Sequence, residues 1–142
     1  MAVNAILGCS NRLGIVNRFV LAQSFLKGSE FVVNTVSLNG KHHVSDIWQC
    51  HKHRVLGAGY VPGCEELLPF NGVIQQQLVA YVIDALDALG FTQGPAHFEI
   101  MMTERGPSII EVGARIQGGV NPNVHIECMN SSQLLTSIDT RL

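Results

Sequence analysis

Two alternating stretches joined by a short turn constrain this chain more than any other part of its sequence. Apolar and polar residues alternate from Ala96 to Thr103 and again from Pro107 to Val112. Alternation of this kind is typical of half-buried β-strands, and a glycine-containing turn between two such strands predicts a hairpin. We predict a three-residue turn of Glu104, Arg105 and Gly106, in which the glycine takes a positive φ.

The register of this hairpin brings two carboxylates together. A turn centred on Arg105 pairs Thr103 with Pro107 and, further along, Glu99 with Glu111. Directly opposed residues share a face, with Cβ atoms about 4.5 to 5.5 Å apart, and like charges there destabilise a sheet. A cation between them removes the repulsion. Two carboxylates suit Mg²⁺, which completes its shell with water and phosphate oxygens.

Two simpler interpretations of the glutamate pair stay open at this point. In one, both carboxylates lie on a solvated face. In the other, Arg105 or Arg115 neutralises one of them. The pairing also depends on register, because a slip of one residue places the two side chains on opposite faces of the sheet.

Composition predicts one domain without a nucleic-acid or membrane surface. The 142 residues are 46% hydrophobic, and nine basic against eleven acidic side chains give a net charge of −2 without a long run of either sign. The four cysteines form no CxxC pair, which predicts reduced thiols in a cytoplasmic protein. No apolar run is long enough to span a membrane. We expect small molecules or protein as partners.

A second hairpin is predicted around Asn39-Gly40, a pair that favours a tight type I′ turn. Pairing outward from this turn places Glu30 opposite Gln49. One face of the hairpin is apolar and contains Phe31, Val33, Val44 and Trp48.

The rest of the pattern predicts an α+β domain with a mostly antiparallel sheet. Phe19 to Leu26 favours a short strand, and Val55 to Asn71, rich in glycine and proline, favours a long loop. Asn71 is the expected cap of a helix that Gly90 ends, and a last helix is expected from Pro122 to Ser137. The apolar side of the first helix comprises Ile74, Leu78, Tyr81, Val82, Ala85, Leu86 and Leu89.

The order of these signals resembles the C-terminal half of an ATP-grasp domain. LAQSFLKGSEFVVNTVSLNGK is similar to the hinge and first hairpin of that family, and GPAHFEIMMTERGPSIIEVGARIQGG to its metal-binding hairpin and following loop. The likeness is to the branch of L-amino-acid ligases, phosphoribosylglycinamide synthetase and carbamoyl phosphate synthetase. It implies that residues 1–142 form one partial ATP-grasp domain, a C-terminal subdomain with flanking helices, without the N-terminal domain and first ATP-grasp subdomain.

The resemblance implies ATP and Mg²⁺ as cofactors, with Mn²⁺ as a substitute, and it implies roles for the hairpin residues. Glu99 and Glu111 match the family glutamates that hold Mg²⁺ on the ATP phosphates. Arg115 matches the arginine that stabilises the charged acyl-phosphate or tetrahedral species. Gly113 stands where many members have an asparagine as a further metal ligand.

At the hinge, the resemblance places Gln23, Phe25 and Leu26 against the adenine edge and Glu30 near the ribose. From the residues alone, the simpler interpretation is a buried strand followed by a surface carboxylate. The resemblance therefore changes the interpretation of this segment completely.

Two functional hypotheses follow. The first is the ATP- and Mg²⁺-binding part of a carboxylate-amine ligase that works through an acyl phosphate, inactive as this chain alone because the first subdomain is absent. Its substrates are a small carboxylate and an amine. The second is a non-catalytic remnant that acts as a binding or oligomerisation module, and exposed apolar surface predicts a homo-oligomer.

Overall fold

A five-stranded antiparallel sheet forms the centre of the fold. The computed structural model describes residues 2–57, 59–119 and 121–139. The strands are β1 (Ser29–Leu38), β2 (Lys41–Val55), β3 (Gly59–Leu67), β4 (Gln93–Thr103) and β5 (Gly106–Gly113). Their order in the sheet is β3-β2-β1-β4-β5, so that β1 is central and pairs with β2 on one edge and β4 on the other.

In the part of the chain that the structure describes, four helices accompany the sheet: α1 (Ala2–Ile6), α2 (Val73–Ala88), α3 (Pro122–Met129) and α4 (Gln133–Asp139). Helix α2 packs on one face, and α4 contacts β1, β2 and β4. This arrangement confirms the predicted α+β class with an antiparallel sheet and flanking helices. None of the helices in the described ranges is long and apolar enough to cross a membrane.

The hydrophobic core lies between the sheet and α2. Leu78, Val82 and Leu86 are spaced one helical turn apart and are fully buried, as the helical pattern predicts. Ile74 and Leu89, at the two ends of the predicted stripe, are exposed. The core cluster consists of Phe31, Val33, Ile47, Leu78, Val82, Leu86, Ala96, Phe98 and Ile100.

The turn between β1 and β2 is as predicted, but the register beyond it is not. Asn39 and Gly40 both have positive φ, +52° and +73°, as a type I′ turn requires. A β-bulge then leaves Ser45 unpaired, because Thr35 pairs with Val44 while Asn34 pairs with Asp46.

The bulge reverses which residues of β2 face the core. Glu30 therefore lies opposite Cys50, and the predicted pairing with Gln49 is wrong. Ile47 takes the core position expected for Trp48, which lies on the opposite face with Asp46. Strict alternation from Val44 would have buried the Asp46 carboxylate among apolar side chains, so the bulge avoids a large desolvation cost.

The glutamate hairpin reaches its predicted pairing by a different route. The turn contains two residues, since Thr103 pairs with Gly106 rather than Pro107. Ile100 then pairs with Ile109 and Glu99 with Glu111, which leaves Ile110 unpaired as a bulge. This extra residue compensates for the shorter turn. Glu99 consequently lies opposite Glu111, as predicted.

Two segments differ from their predicted structure. Val55 to Asn71, predicted as a loop, contains β3. Pro62 and Gly63 weaken the strand pattern in the sequence, but β3 is an edge strand, which tolerates proline, and Gly63 lies at its bulge. Residues 17–27 form no strand, and Phe19, Leu21 and Phe25 are largely exposed, so they do not provide the buried face that stabilises a strand. Gly28 connects this segment to β1 and lies close to the backbone of β4. A Cβ atom at position 28 would be 1.9 Å from the Met102 carbonyl oxygen.

The helix ends also differ in part from prediction. Gly72 caps α2 rather than Asn71, and the Gln75 side chain lies against Gly72. Gly90 follows the last residues of α2 with a positive φ, as expected. The predicted last helix is two helices, because Asn130 adopts a left-handed conformation that ends α3.

We predict that core and surface phenylalanines differ sharply in their contribution to stability. Phe98 is fully buried, whereas Phe19 is 89% exposed. Phe98→Ala should lower the free energy of unfolding by about 3–5 kcal/mol, and Phe19→Ala by less than about 0.5 kcal/mol. Urea denaturation followed by tryptophan fluorescence measures both, and equal effects would contradict the assigned core.

Candidate functional site

The sheet face opposite α2 carries a concentration of polar side chains. Cross-strand pairs share a face, so the pairing of Val32 with both Trp48 and Glu99 defines this side of the sheet. Asn34 pairs with Asp46 and His97 on the same side. A cavity of about 440 Å³ opens over this surface. Its lining includes Glu30, Cys50, Lys52, Glu65, His97, Glu99, Arg115 and Gln117.

Glu99 and Glu111 extend the acidic part of this face. Glu99 is partly exposed and lines the cavity, and Glu111 lies directly opposite on β5, exposed and outside the lining. Glu99 Oε1 lies 3.6 Å from His97 Nε2. Among the side chains that the structure describes, no lysine or arginine forms an ion pair with either glutamate, and this includes Arg105 and Arg115.

The donor set on this face fits a hard divalent cation that keeps open positions. Among the described residues, no three His, Cys, Asp or Glu side chains lie close enough together to enclose a metal ion. Two neighbouring carboxylates, of which Glu99 contacts only the imidazole of His97, match Mg²⁺, which uses one or two carboxylates and takes its other ligands from water and phosphate.

Arg115 lines the cavity and lies beside the carboxylate hairpin. Its backbone N–H donates to the Gly113 carbonyl at 2.8 Å, and its guanidinium donates to the Ile116 carbonyl at 3.2 Å. A Cβ atom at Gly113 would lie 3.3 Å from the Arg115 side chain. The arginine therefore occupies part of the space that a larger residue at position 113 would need.

The predicted hinge residues separate into two groups. Phe25, Leu26 and Glu30 line a second cavity of about 410 Å³. Gln23 is exposed and lies outside both cavities. Phe25 is 78% exposed, whereas Leu26 is half-buried, so the buried strand that these residues suggest by themselves does not form.

An ion pair connects the two cavities. Lys52 Nζ lies 2.6 Å from Glu30 Oε2, and both residues line both cavities. The hydrogen bond to Glu30 raises the pKa of Lys52, and burial opposes this shift only in part. Lys52 therefore provides a positive charge between the hinge end and the carboxylate end of the site.

A buried polar network supports the floor of the larger cavity. Asp46 is fully buried and accepts hydrogen bonds from Asn34 Nδ2, from Ser45 Oγ at 2.7 Å and from Trp48 Nε1 at 2.7 Å. His125 of α3 places Nε2 3.4 Å from the same carboxylate. Several donors around one buried carboxylate compensate the loss of its hydration.

His97 links this network to Glu99. Its Nδ1 lies 2.9 Å from Asn34 Oδ1, while its Nε2 faces Glu99. Burial, helped by the positive charge of Arg115, lowers the pKa of His97, although Glu99 opposes the shift. The ring is therefore neutral near pH 7.

Cys50 provides a thiol in the same cavity. Burial, followed by the negative charges of Glu65 and Glu30, raises its pKa to about 12. The thiol therefore remains protonated and is a poor nucleophile at neutral pH.

The sequence predicted the carboxylates, the arginine and the hinge as site residues, but not several other residues that line the cavity. Lys52, Cys50 and Glu65 reach the cavity through the pairing of β2 with β3, a strand that was predicted as a loop. Asp46 reaches this face through the bulge at Ser45. The adjacent polar residues Asn34-Thr35 in β1 and Ser45-Asp46 in β2 were the signal available in the sequence.

Comparisons with known proteins identify relatives of this chain and similar structures. The chain is 38% identical over 133 residues to dapdiamide A synthase from Enterobacter agglomerans, an alignment that covers 94% of this chain and 31% of the synthase. The L-amino acid ligase structure from Bacillus licheniformis is 30% identical, with a TM-score of 0.61, over 82% of this chain and 30% of the ligase. No family model matches the chain.

A third likeness concerns the fold alone. The D-alanine–D-alanine ligase of Bacillus anthracis, in its complex with ATP, is 14% identical with a TM-score of 0.56, over 82% of this chain and 37% of that one. These likenesses and the antiparallel sheet show that the chain has the ATP-grasp fold of this group of ligases. It corresponds to the C-terminal part of an ATP-grasp domain, and it spans less than a third of the synthase.

We predict that Cys50 is the least reactive of the four cysteines. Cys9, Cys64 and Cys128 are exposed, whereas the thiol of Cys50 is partly buried and has a raised pKa. At pH 8, iodoacetamide should modify the exposed three first and leave Cys50 largely unmodified, as peptide mass spectrometry can show. All four should react in guanidinium chloride. Labelling of the folded chain at equal rates would contradict the environment described for Cys50.

Proposed function

We propose that this chain provides the ATP- and Mg²⁺-binding part of an ATP-dependent carboxylate-amine ligase. The observation that carries the proposal is the pairing of Glu99 with Glu111 beside Arg115, on a sheet face open to a cavity. The second cavity, lined by Phe25, Leu26 and Glu30, continues this space toward the hinge and suits the nucleoside. The relatives are ligases, which supports the same reaction class.

The proposed chemistry divides into two steps. A carboxylate oxygen of one substrate attacks the γ-phosphorus of ATP, and ADP leaves as the acyl phosphate forms. The amine of the second substrate then attacks the acyl carbon, and inorganic phosphate leaves. Since the named relatives include an L-amino acid ligase, we propose amino acids as the substrate class.

Each proposed residue has a role that its position supports. Glu99 and Glu111 hold Mg²⁺, which neutralises phosphate charge when bound. Arg115, exposed at the same end of the cavity, stabilises negative charge on the phosphoryl or acyl oxygens with its guanidinium donors. Glu30 accepts hydrogen bonds from the ribose hydroxyls, and Lys52 provides the charge nearest to it.

Calorimetric titration of Mg·ATP into the purified chain tests this proposal. We expect metal-dependent binding that EDTA abolishes, and a loss of affinity of at least about tenfold in the Glu99→Gln/Glu111→Gln double variant. Glu104→Gln, an exposed glutamate in the turn of the same hairpin, is the matched control and should bind as the wild type does. Binding that survives in the double variant would refute the metal assignment.

A second candidate function is association between copies of this chain. It is favoured by a run of strongly exposed apolar side chains that precedes β1: Leu13 at 82%, Phe19 at 89%, Leu21 at 80% and Phe25 at 78%. Exposed apolar side chains of this kind promote association. The two candidates overlap at Phe25, which also lines the second cavity, whereas Leu13, Phe19 and Leu21 lie outside that lining.

Light scattering at increasing protein concentration tests the second candidate. The wild-type chain should form a dimer or larger oligomer, and Phe19→Ser/Leu21→Ser should shift it toward monomer because polar side chains remove the apolar contact. Glu104→Gln serves again as a control that leaves this surface unchanged. A wild-type chain that stays monomeric at high concentration would rule out self-association.

A further inference from the structure

The loop that carries Arg115 is attached to the sheet through Gln117, and two buried amide side chains make the attachment. The Gln117 backbone N–H donates to Gln133 Oε1 at 3.0 Å. The Gln117 side-chain Oε1 accepts a hydrogen bond from Asn34 Nδ2. Asn34 and Gln133 are 1% and 3% exposed, so water does not compete for either contact.

Gln133 can take only one orientation in this position. Its Nε2 donates to the Thr35 carbonyl at 3.1 Å and to the Ala96 carbonyl at 3.0 Å, which uses both amide protons. A flipped amide would place its oxygen against two carbonyl oxygens. The acceptor oxygen of Gln133 is thereby fixed toward the Gln117 N–H.

Asn34 is fixed by charge in the same way. The Asp46 carboxylate can only accept hydrogen bonds, so the Asn34 Nδ2 group must face it. The second Nδ2 proton points to Gln117, and Oδ1 faces His97 Nδ1. Since Asn34 donates to Gln117 Oε1, the buried Asp46 carboxylate fixes the orientation of the Gln117 amide through Asn34. The Gln117 Nε2 group consequently faces Glu65 Oε2, 3.5 Å away.

Arg115 lies between this attachment and the end of β5. Its backbone N–H bonds to Gly113 on one side, and Gln117 follows two residues later on the other. Its guanidinium donates to the Ile116 carbonyl, within the same loop. The position of the guanidinium relative to the sheet thus depends on where Gln117 is held.

We infer that Gln133 and Asn34 are positioning residues for Arg115 and act through Gln117. The inference rests on the proposed role of Arg115 in stabilising anionic charge. Gln133 does not line the larger cavity, so its contribution is to hold the arginine loop against β1 and β4. Loss of the Gln133 amide should leave the carboxylate hairpin in place and make Arg115 mobile.

The first experiment measures the attachment directly by NMR. Gln133→Leu removes the amide at similar size, and Gln77→Leu makes the same change at an exposed position of α2. In Gln133→Leu, hydrogen exchange of the Gln117 amide should accelerate at least about tenfold, and the heteronuclear NOE of the Arg115 side-chain N–H should fall. Gln77→Leu should match the wild type. Unchanged exchange and NOE in Gln133→Leu would overturn the inference.

The second experiment tests whether the attachment matters for anion binding. Inorganic phosphate is titrated into the chain saturated with Mg·ADP. Gln133→Leu and Arg115→Ala should each weaken phosphate binding about tenfold, the double variant should lose little more, and Mg·ADP affinity should stay constant. Fully additive losses would show that Gln133 acts independently of Arg115 and would overturn the inference.

The two experiments separate this inference from the proposed function. A wild-type chain that binds neither Mg·ADP nor phosphate refutes the proposed function, while exchange at Gln117 and the Arg115 NOE still decide the positioning role. If circular dichroism shows that Gln133→Leu is unfolded, Gln117→Leu replaces it. That variant loses the side-chain bond to Asn34 at a half-buried position, and it should lower the same Arg115 NOE.

Discussion

The pairing of β1 along both of its edges is the constraint on which the rest of this structure depends. Because β1 is central, its odd-numbered residues face α2 and its even-numbered residues face the polar side. Phe31 and Val33 thus belong to the core, whereas Glu30 and Asn34 belong to the site. The same ten residues organise both layers, so core packing and site geometry cannot vary independently.

Asn34 shows how a polar residue can be accommodated in the middle of a central strand. Its amide uses all of its hydrogen-bonding groups, to Asp46, His97 and Gln117. A buried amide with every group paired is rigid, because any rotation leaves an unpaired group in a low-dielectric environment. The Asp46 carboxylate orients the Asn34 amide, which in turn contacts His97, beside the carboxylate hairpin, and Gln117, in the arginine loop.

The sequence predicted much of this fold where a feature was local, and less where it depended on a partner strand. Alternation, the Asn39-Gly40 turn and the periodicity of α2 identified two hairpins and the main helix. β3 was missed because Pro62 and Gly63 disrupt its pattern, and an edge strand tolerates both. The strand predicted at Phe19 to Leu26 did not form, and its apolar side chains Phe19, Leu21 and Phe25 are exposed instead of packed on the sheet.

The residues of the candidate site show the same difference between local features and features that depend on a partner strand. The carboxylates, Arg115 and Glu30 lie at motif positions and could be proposed from the sequence, whereas Lys52, Cys50 and Asp46 reach this face only through register. Bulges cannot be seen in an alternating pattern, and each one reverses the facing of every residue beyond it.

The two irregularities of the glutamate hairpin cancel. The turn is one residue shorter than predicted, and the Ile110 bulge adds one residue back, so that Glu99 and Glu111 still face each other. What must be preserved is therefore the number of residues between the two glutamates, and not how these residues divide between turn and bulge. A deletion in the turn and an insertion in β5 compensate each other, whereas either one alone shifts Glu99 by one residue relative to Glu111. An ungapped motif search keyed to the spacing between the glutamates would therefore still find relatives in which the turn and the bulge differ.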